Sequence, residues 1–263
     1  MESIYFADKT WPQLEEAIKK NTLLLLPIGT IEEHGRHLPV STDSVIVTEI
    51  AKGAAERLRG EIPILVLPTL WTGYSAKEMT RWPGTIRIRP LVLIQLIYDL
   101  VASLIEMGFK KIILLDGHGH HKGIIEVALR EIGDEFGIYP ASVSPAALSA
   151  SLYRKIRKSP IGGSIHGGEW ETSLMLFFKQ PVKREEFTGE DIMRYHSKFV
   201  PGDNFLPSSG VFWSTWGIQK SKTGIYGDPT PATEETGKII YEEIVENLCQ
   251  FIREFYEFSG EKG

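Results

Sequence analysis

The sequence predicts an α/β fold, a three-layer αβα sandwich in which a mostly parallel sheet lies between two layers of helices. Three short and almost wholly apolar runs, at residues 23–28, 62–67 and 111–115, have the composition of strands buried on both faces. Helical patterns alternate with these runs, the order expected for parallel strands joined by crossover helices. Ligands of such folds bind beyond the carboxyl ends of the strands, so the residues after each run are the first candidates for function.

The remaining elements follow from apolar spacing and from the residues at their ends. Pro90 in the first turn and Gly108 just past the end delimit the longest apolar helix, and Thr233 is the expected N-cap of the last one. Two further short strands are expected at residues 86–89 and 138–143. In chain order, the predicted helices cover residues 11–20, 44–60, 90–107, 124–136, 169–178 and 234–258.

Residues 1–263 are interpreted as a single domain, because no internal repeat or linker divides them. Residues 181–225 lack a regular period and are rich in Gly, Pro, Ser and aromatic residues, so we expect an insertion or lid there. The aromatic residues of this segment would either roof a pocket or fill an interface between subunits. They are Phe199, Phe205, Phe212, Trp213 and Trp216.

Composition excludes several classes of partner. The chain has 263 residues, 42% of them hydrophobic and 24% charged, and a net charge of −5. This mildly acidic and evenly mixed charge gives no reason to expect binding to nucleic acid or to a membrane surface. The single cysteine, Cys249, excludes an internal disulfide framework, and the first residues lack the pattern of a signal peptide. We therefore expect a cytoplasmic protein with a small-molecule substrate.

Six of the seven histidines lie in three short glycine-rich stretches: His34 and His37; His118, His120 and His121; and His166. In the first stretch, Glu32 and His34 stand two residues apart after a buried strand, so both side chains leave the same face of an extended chain. Asp43 follows at the start of the next helical pattern. Carboxylates and imidazoles gathered at a strand end are suitable ligands for a divalent metal ion. The alternative is a polar loop with a capping aspartate.

A two-metal centre is the simplest use of these residues. Such a centre needs a carboxylate shared by two ions about 3.5–4 Å apart, and further ligands for each ion. Four ligands would come from Glu32, His34, Asp43 and His118, and a fifth from Glu169 or His120. His166 lies in a glycine-flanked turn and could carry a proton to the leaving group.

Taken together, five ordered motifs resemble the creatininase (creatinine amidohydrolase) superfamily. They run from about residue 23 to residue 245 and so cover most of the chain. The motifs are Glu32-x-His34-Gly35-x-His37-Leu38-Pro39, Thr42-Asp43, Gly117-His118-Gly119, His166-Gly167-Gly168-Glu169-x-Glu171-Thr172-Ser173 and Gly227-Asp228-Pro229-Thr230.

The resemblance implies a three-layer αβα fold, a homohexamer built as a trimer of dimers, and two divalent metal ions per subunit (Zn, Mn or Fe). It also implies hydrolysis, most often of a cyclic amide or a formamide. Carried over by position, Glu32, Asp43 and His118 match the ligands of one metal ion. His34 and the shared Asp43 match ligands of the other ion, and His166 matches the catalytic histidine.

The chain departs from creatininase proper after His118. Gly119 and His120 stand where creatininase has a tyrosine and a metal-binding glutamate. Other family members take the missing ligand from the position of Glu169, so Glu169 is the preferred fifth ligand and a member of the catalytic site. His120 remains a candidate for metal or substrate binding.

Four residues are expected to border the substrate by the same resemblance: Tyr74, Ser75, Trp82 and Gly119. Family members often have a histidine where this chain has Met79. Both departures lie at the substrate pocket, so creatinine itself is not the expected substrate.

The expected function is hydrolysis of a small polar cyclic molecule at a C–N bond. The main rival is hydrolytic C–C ring opening of a cyclic 1,3-diketone such as a diketo-inositol, as a 3-dehydro-scyllo-inosose hydrolase performs in inositol catabolism. The extra imidazoles of His120 and His121 would suit a hydroxyl-rich sugar. A third possible function is that of a metal-bound structural or regulatory subunit without catalysis. A nucleotide-binding module ranks far below, because the sequence has no phosphate-binding loop.

Overall fold

A four-stranded parallel sheet lies at the centre of the fold. The structure is a computed structural model that describes residues 2–207, 210–214 and 217–258. The spatial order of the strands is β2–β1–β3–β4, and all three pairings are parallel. The strands are β1 (Leu23–Ile28), β2 (Ile64–Val66), β3 (Lys111–Asp116) and β4 (Ala141–Val143).

The register of the two central strands fixes the position of the site. Ile28, the last residue of β1, pairs with Asp116, the last residue of β3. Both strands therefore end at the same level, and the segments that follow them leave the sheet side by side. The polar residues after residue 28 and after residue 116 are in this way brought together.

Helices cover both faces of the sheet. They are α1 (Trp11–Lys19), α2 (Thr42–Arg57), α3 (Pro90–Glu106), α4 (Lys122–Phe136), α5 (Pro145–Ile156), α6 (Glu169–Phe177) and α7 (Glu234–Glu257). A second, two-stranded antiparallel sheet pairs β5 (Ser164–His166) with β6 (Tyr226–Gly227). Single 3-10 turns occupy Phe6–Asp8, Lys77–Arg81 and Arg184–Glu186. In the described ranges, no helix combines the length and apolar character that a membrane crossing needs.

Alternate residues of β1 enter two separate cores. Leu23 and Leu25 pack with α2, α5, α6 and α7, whereas Leu24 and Leu26 pack with α1, α3 and α4. This alternation follows from the two-residue period of a strand, because both of its faces are covered. The predicted three-layer arrangement with a parallel central sheet is therefore confirmed.

Three local predictions differ from the structure. Helix α2 begins at Thr42, two residues earlier than expected, so Asp43 lies inside its first turn. Residues 86–89 form only isolated bridges, from Ile86 to Ile31 and from Arg87 to Gly73. Helix α5 was not expected from the sequence, because its buried residues include the small Ser149 rather than a continuous apolar stripe.

Residues 181–225 follow an irregular path in their described parts, interrupted by one 3-10 turn. One carboxylate, that of Asp191, fixes a large part of this path. It accepts hydrogen bonds from the backbone N–H groups of Lys222 and Thr223 and from the hydroxyl of Ser221. The interpretation of the segment as an insertion or lid remains a prediction, and Trp216 lies outside the described residues.

Candidate metal centre

Four elements bring the predicted ligands and His166 to one place. Glu32 and His34 follow β1, Asp43 lies in the first turn of α2, and His118 follows β3. His166 is the last residue of β5. Because β1 and β3 end at the same level, residues more than 80 positions apart in sequence become neighbours.

One group of candidate ligands consists of Glu32, His118 and His120. Each offers a ligand atom, and the three atoms lie within 4.8 Å of one another. Nε2 of His118 is 3.4 Å from Oε2 of Glu32. Glu32 is fully buried and His118 is 8% exposed, so water does not solvate these charges freely.

A second group consists of His34, His166 and Glu171, whose ligand atoms also lie within 4.8 Å of one another. The rings of His34 and His166 have their centroids 4.2 Å apart. Nε2 of His34 is 3.9 Å from Oε1 of Glu171. Glu171 comes from the first turn of α6, which the sequence analysis did not assign to the metal.

Asp43 lies between the two groups. Its Oδ1 is 3.2 Å from Nε2 of His34, and its Oδ2 is 2.9 Å from Nδ1 of His118. One carboxylate thus contacts an imidazole of each group. This is the arrangement expected of a carboxylate shared by two ions.

The chemistry of the site fits metal ions. Several buried ligand atoms lie within 4 Å of another ligand atom but, within the described residues, in a geometry that forms no hydrogen bond: both carboxylate oxygens of Glu32, Nε2 of His34, Oδ2 of Asp43 and Nε2 of His118. Buried polar atoms without partners are costly, and they are rare in folded proteins. Carboxylate oxygens and imidazole nitrogens that face one another are instead what a divalent ion would satisfy.

The charges of the site shift its pKa values. Burial by itself lowers the pKa of His34, but the charges of Asp43, Glu171 and Glu32 outweigh it and raise that pKa to about 10. Burial likewise opposes protonation of His118, yet Glu32 and Asp43 raise its pKa to about 9. Burial raises the pKa of Asp43, but the two imidazoles hold it well below its usual range. Without a metal ion, protons on His34 and His118 therefore balance the negative charge of the carboxylates.

Backbone groups orient the imidazoles. Nδ1 of His34 donates to the carbonyl oxygen of Glu32 at 2.9 Å, and Nε2 of His166 donates to the carbonyl oxygen of Glu33 at 2.7 Å. A carbonyl oxygen can only accept, so each bond fixes which nitrogen carries a proton. Nε2 of His34 and Nδ1 of His166 are then the atoms left for the site. Hydrogen bonds of this kind commonly fix the tautomer of metal-binding histidines.

Glu171 is held by the turn before α6. The backbone N–H of Gly167 donates to its Oε2 at 2.6 Å. Gly167 has φ of +65°, a left-handed conformation that favours glycine, and an added Cβ would lie 2.4 Å from the side chain of Ile225. Burial raises the pKa of Glu171. This glycine turn therefore directs a carboxylate toward the second group.

Glu169, the fifth ligand preferred in the prediction from the sequence, belongs to neither group of candidate ligands. Its carboxylate accepts hydrogen bonds from the backbone N–H groups of Lys158 and Ser159, at distances of 2.7 to 3.1 Å, and from the hydroxyl of Tyr153 at 3.2 Å. These bonds hold the carboxylate of Glu169 away from both groups of candidate ligands. Two residues along an α-helix correspond to a rotation of about 200°, so Glu169 and Glu171 leave α6 on different sides. Glu171, and not Glu169, is therefore the acidic residue of α6 that lies among the candidate ligands.

A cavity of about 280 Å³ opens onto the centre. Of the four residues expected to border the substrate, Gly119 lines this cavity, whereas Tyr74, Ser75 and Trp82 do not. The ring of Tyr74 contacts that of His120, with centroids 6.0 Å apart. Ser75 is fully buried. The residues around the cavity thus only partly match those expected.

His121 connects the loop that contains Tyr74 to the loop that carries His118 and His120. Its side chain is fully buried. Its Nε2 accepts a hydrogen bond from the backbone N–H of Tyr74 at 3.1 Å, and its Nδ1 is 3.5 Å from Oδ1 of Asp116. The same oxygen of Asp116 accepts the backbone N–H of His118. This chain of contacts fixes the loop that carries His118 and His120.

Two parts of the cavity wall were missed by the sequence analysis. The first turn of α5, at residues 144–147, forms one side, and Asn204 and Phe205 of the irregular segment form another. No local pattern distinguishes these residues from ordinary loop and helix residues. Their position depends on how distant segments pack, which a single sequence does not display.

The comparisons with known proteins agree with this geometry. The family model described as creatininase (creatinine amidohydrolase) matches residues 7–252. The chain belongs to the creatininase family. Members of this family are metal-dependent hydrolases, so the prediction of an enzyme of this class is confirmed.

Three relatives from the creatininase family have different activities. The chain is 27% identical to the creatinine amidohydrolase of Pseudomonas putida, covering 96% of this chain and 97% of that one. It is 25% identical to the 3-dehydro-scyllo-inosose hydrolase of Thermotoga maritima, covering 97% and 84%. It is 29% identical to the mycofactocin precursor peptide peptidase of Mycobacterium tuberculosis, covering 86% and 83%.

Solved creatininase structures share the fold. The crystal structure of creatinine amidohydrolase superposes with a TM-score of 0.80 at 23% identity, covering 99% of this chain and all of the other. A manganese form of creatininase gives a TM-score of 0.78 at 24% identity, covering 97% of this chain and all of the other. A creatininase variant of Zn–Zn type gives 0.79 at 23% identity, covering 98% and 100%.

Proposed function

We propose that this protein is a dinuclear metal-dependent hydrolase that cleaves a C–N bond of a small polar cyclic amide or formamide. The observation that carries the proposal is the position of Asp43 between two groups of candidate ligands. Two ions would be held by Glu32, His118 and His120 on one side and by His34 and Glu171 on the other, with Asp43 shared and with His166 beside the second ion as the proton carrier. The Zn–Zn and manganese forms of creatininase support Zn or Mn as the metal.

When bound, divalent ions at such a centre activate water and polarise the substrate carbonyl. The residues of the chain supply the rest of the mechanism. His166 lies at the edge of the second group with Nε2 fixed by the carbonyl of Glu33, so Nδ1 is the atom that can hold or pass a proton. Burial and the adjacent His34 lower the pKa of His166, but Glu33 and the charge of Glu32 outweigh them and raise it. A raised pKa favours His166 as the donor to a leaving amine.

The choice of a C–N bond rests on the relatives and on the residues near the site. An amidohydrolase and a peptidase are both among the similar proteins, and both names denote cleavage of a C–N bond. Creatinine itself is not the proposed substrate, because Gly119 and His120 occupy positions where creatininase proper has other residues. The open cavity beside the ligand groups favours catalysis over a closed structural metal site.

A second candidate is hydrolytic C–C ring opening of a cyclic 1,3-diketone. The similarity to the inosose hydrolase extends over 97% of this chain, and His120 adds an imidazole beside Glu32 and His118. An imidazole can donate to or accept from a sugar hydroxyl. The same activated water would attack a carbonyl in both reactions, so the site alone does not separate them.

A substrate panel and a metal analysis test the proposal together. Purified protein loaded separately with zinc, manganese and iron would be offered creatinine, other cyclic amides, formamides and 3-dehydro-scyllo-inosose. We expect about two ions per chain and release of an amine or ammonia from an amide substrate, both lost after chelation. Carboxylate formation from the inosose without amine release would favour the second candidate. Metal-loaded protein with one ion or none per chain would contradict the dinuclear centre.

A further inference from the structure

Asn204 occupies an unusual position in the cavity wall. It lines the cavity that contains Asp43, His118 and Glu171, although it belongs to the irregular segment far from them in sequence. Asn204 is exposed, whereas its neighbours Asp203 and Phe205 are only 6% and 4% exposed. The side chain of Asn204 is therefore the polar group that this segment presents to the cavity.

Asp203 fastens one side of Asn204 to the body of the protein. Its carboxylate accepts hydrogen bonds from Nη2 of Arg157 at 2.9 Å and from the backbone N–H of Gly162 at 2.8 Å. It also accepts the backbone N–H of Phe205 at 3.1 Å. A buried ion pair that is satisfied by further hydrogen bonds holds the backbone in one conformation.

Phe205 fastens the other side. Its ring packs against Tyr153 and Trp170, with centroid distances of 4.5 and 5.7 Å. Its carbonyl oxygen accepts a hydrogen bond from Nη1 of Arg154 at 3.0 Å. Since both neighbours are fixed, the backbone of Asn204 is fixed between them.

One hydrogen bond then orients the amide of Asn204. Nδ2 donates to the carbonyl oxygen of Ile165 at 2.9 Å, one residue before His166. The acceptor is a carbonyl, so the nitrogen and not the oxygen of the amide must face it. The amide oxygen of Asn204 is therefore directed away from Ile165. The Asn204 side chain makes no other hydrogen bond within the described residues.

We infer that Asn204 is a specificity-determining residue whose amide oxygen accepts a hydrogen bond from an N–H or O–H group of the substrate next to the scissile carbonyl. The inference rests on the proposed function, because it places the carbonyl at the metal centre. It narrows the proposed substrates to molecules that carry an N–H or O–H group beside that carbonyl. A site that hydrogen-bonds a substrate N–H discriminates strongly against an analogue that lacks it.

Two hydroxamate probes can test this assignment. Acetohydroxamate and N-methylacetohydroxamate both chelate metal ions, but only the first has an N–H beside its carbonyl. Isothermal titration calorimetry with zinc-loaded protein would measure both dissociation constants. We expect the wild-type protein to prefer acetohydroxamate, and Asn204→Leu to reduce that preference by about tenfold, the range of one net hydrogen bond.

Asn247 offers a matched control. Its Nδ2 donates to the carbonyl oxygen of Leu148 at 2.9 Å, the same type of bond at the same distance, but Asn247 lies on α7 and does not line the cavity. Asn247→Leu should keep the full preference for acetohydroxamate. Both variants should keep the metal content of the wild type, because neither residue is a candidate ligand.

The outcomes are separable. An Asn204→Leu variant that weakens both probes equally, or that keeps the wild-type preference, would overturn the assignment while leaving the metal centre intact. A wild-type protein that binds both probes without preference would also overturn it. If zinc-loaded protein bound neither probe better than the metal-free protein does, the centre would lack an open position, and the proposed function would fail together with this inference.

Discussion

Asp43 is the residue on which the candidate centre depends. It contacts His34 through one oxygen and His118 through the other, and it is only 2% exposed. A buried carboxylate of this kind is stable only because two imidazoles compensate its charge. The position in the first turn of α2 also places it near the positive end of a helix dipole, which further favours the ionised form.

Glu171 and Glu169 give a matched pair of substitutions on one helix. Glu171→Gln should remove one metal ion per chain, because an amide is a much weaker ligand than a carboxylate. Glu169→Gln should keep both ions but lower the free energy of unfolding by about 1–3 kcal/mol, since a buried acceptor of several hydrogen bonds is altered. Elemental analysis and urea denaturation measure the two effects. Loss of metal from the Glu169 variant alone would contradict the ligand assignment.

His166 is expected to handle a proton. His166→Gln should reduce kcat by about 10²–10⁴-fold, the usual range for loss of general acid–base catalysis. Metal content should stay unchanged. The comparison needs steady-state kinetics and elemental analysis of the same preparations. If the variant instead loses an ion, Nδ1 of His166 acts as a ligand rather than as a proton donor.

Metal binding is expected to release protons. The pKa values of His34 and His118 in the metal-free protein are raised to about 10 and about 9, so both imidazoles are protonated at neutral pH. Each must lose a proton before it can bind an ion. Metal affinity should therefore rise as the pH increases from 7 to 10, while the number of protons released falls.

Calorimetry in buffers with different ionisation enthalpies measures this release directly. The buffer dependence at pH 7 should correspond to about two protons per chain. Metal binding with no buffer dependence would show that the two histidines are already neutral.

At the scale of elements, α6 and α7 pack closely enough to require a glycine. A Cβ at Gly237 of α7 would lie 1.9 Å from the carbonyl oxygen of Ser173 in α6. Because α6 also carries Glu171, this contact helps to set the position of a candidate ligand. The helix pair is thus part of the support of the centre.

Gly237→Ala should lower the free energy of unfolding by about 1–3 kcal/mol, because the helices must move apart to accommodate the methyl group. Gly123→Ala is the control. Gly123 lies in the first turn of α4, and a Cβ there meets no atom within 4 Å. That substitution should be neutral or stabilise by about 0.5–1 kcal/mol. Urea denaturation compares the two variants, and equal effects would contradict the packing argument.

At the scale of the whole molecule, the exposed aromatic residues of the irregular segment suggest an interface. Phe212 is 94% exposed, Trp213 56% and Phe199 54%. Several large apolar side chains exposed in one segment are typical of a surface covered by another protein chain. The expected homohexamer remains a prediction that would explain them.

Sedimentation analysis should give a particle of about six times the mass of one 29.6 kDa chain. A double substitution, Phe212→Glu with Trp213→Glu, should dissociate it, because charges would be buried without partners. Val127→Glu on α4 is a control, since Val127 is also exposed, at 42%, but lies outside this segment. A monomeric wild-type protein would contradict the prediction.

The sequence alone determined the features that depend on the order of neighbouring residues. The apolar runs at β1 and β3 identified the central strands, since a strand buried on both faces must be continuously apolar. The two-residue spacing of Glu32 and His34 and the position of Asp43 near a helix start then indicated the ligands. Glu32, His34 and Asp43 therefore lie within 12 positions of one another in the sequence.

Tertiary structure decided what depends on rotation and on distant packing. Glu169 and Glu171 are equivalent in sequence pattern, and only the orientation of α6 against α7 directs the second toward the centre. Asn204 reaches the cavity because Asp203 and Phe205 bind a loop to residues 35 or more positions away in the sequence. Side-chain direction and long-range contacts depend on many packing interactions between distant segments. A short stretch of sequence therefore does not determine them.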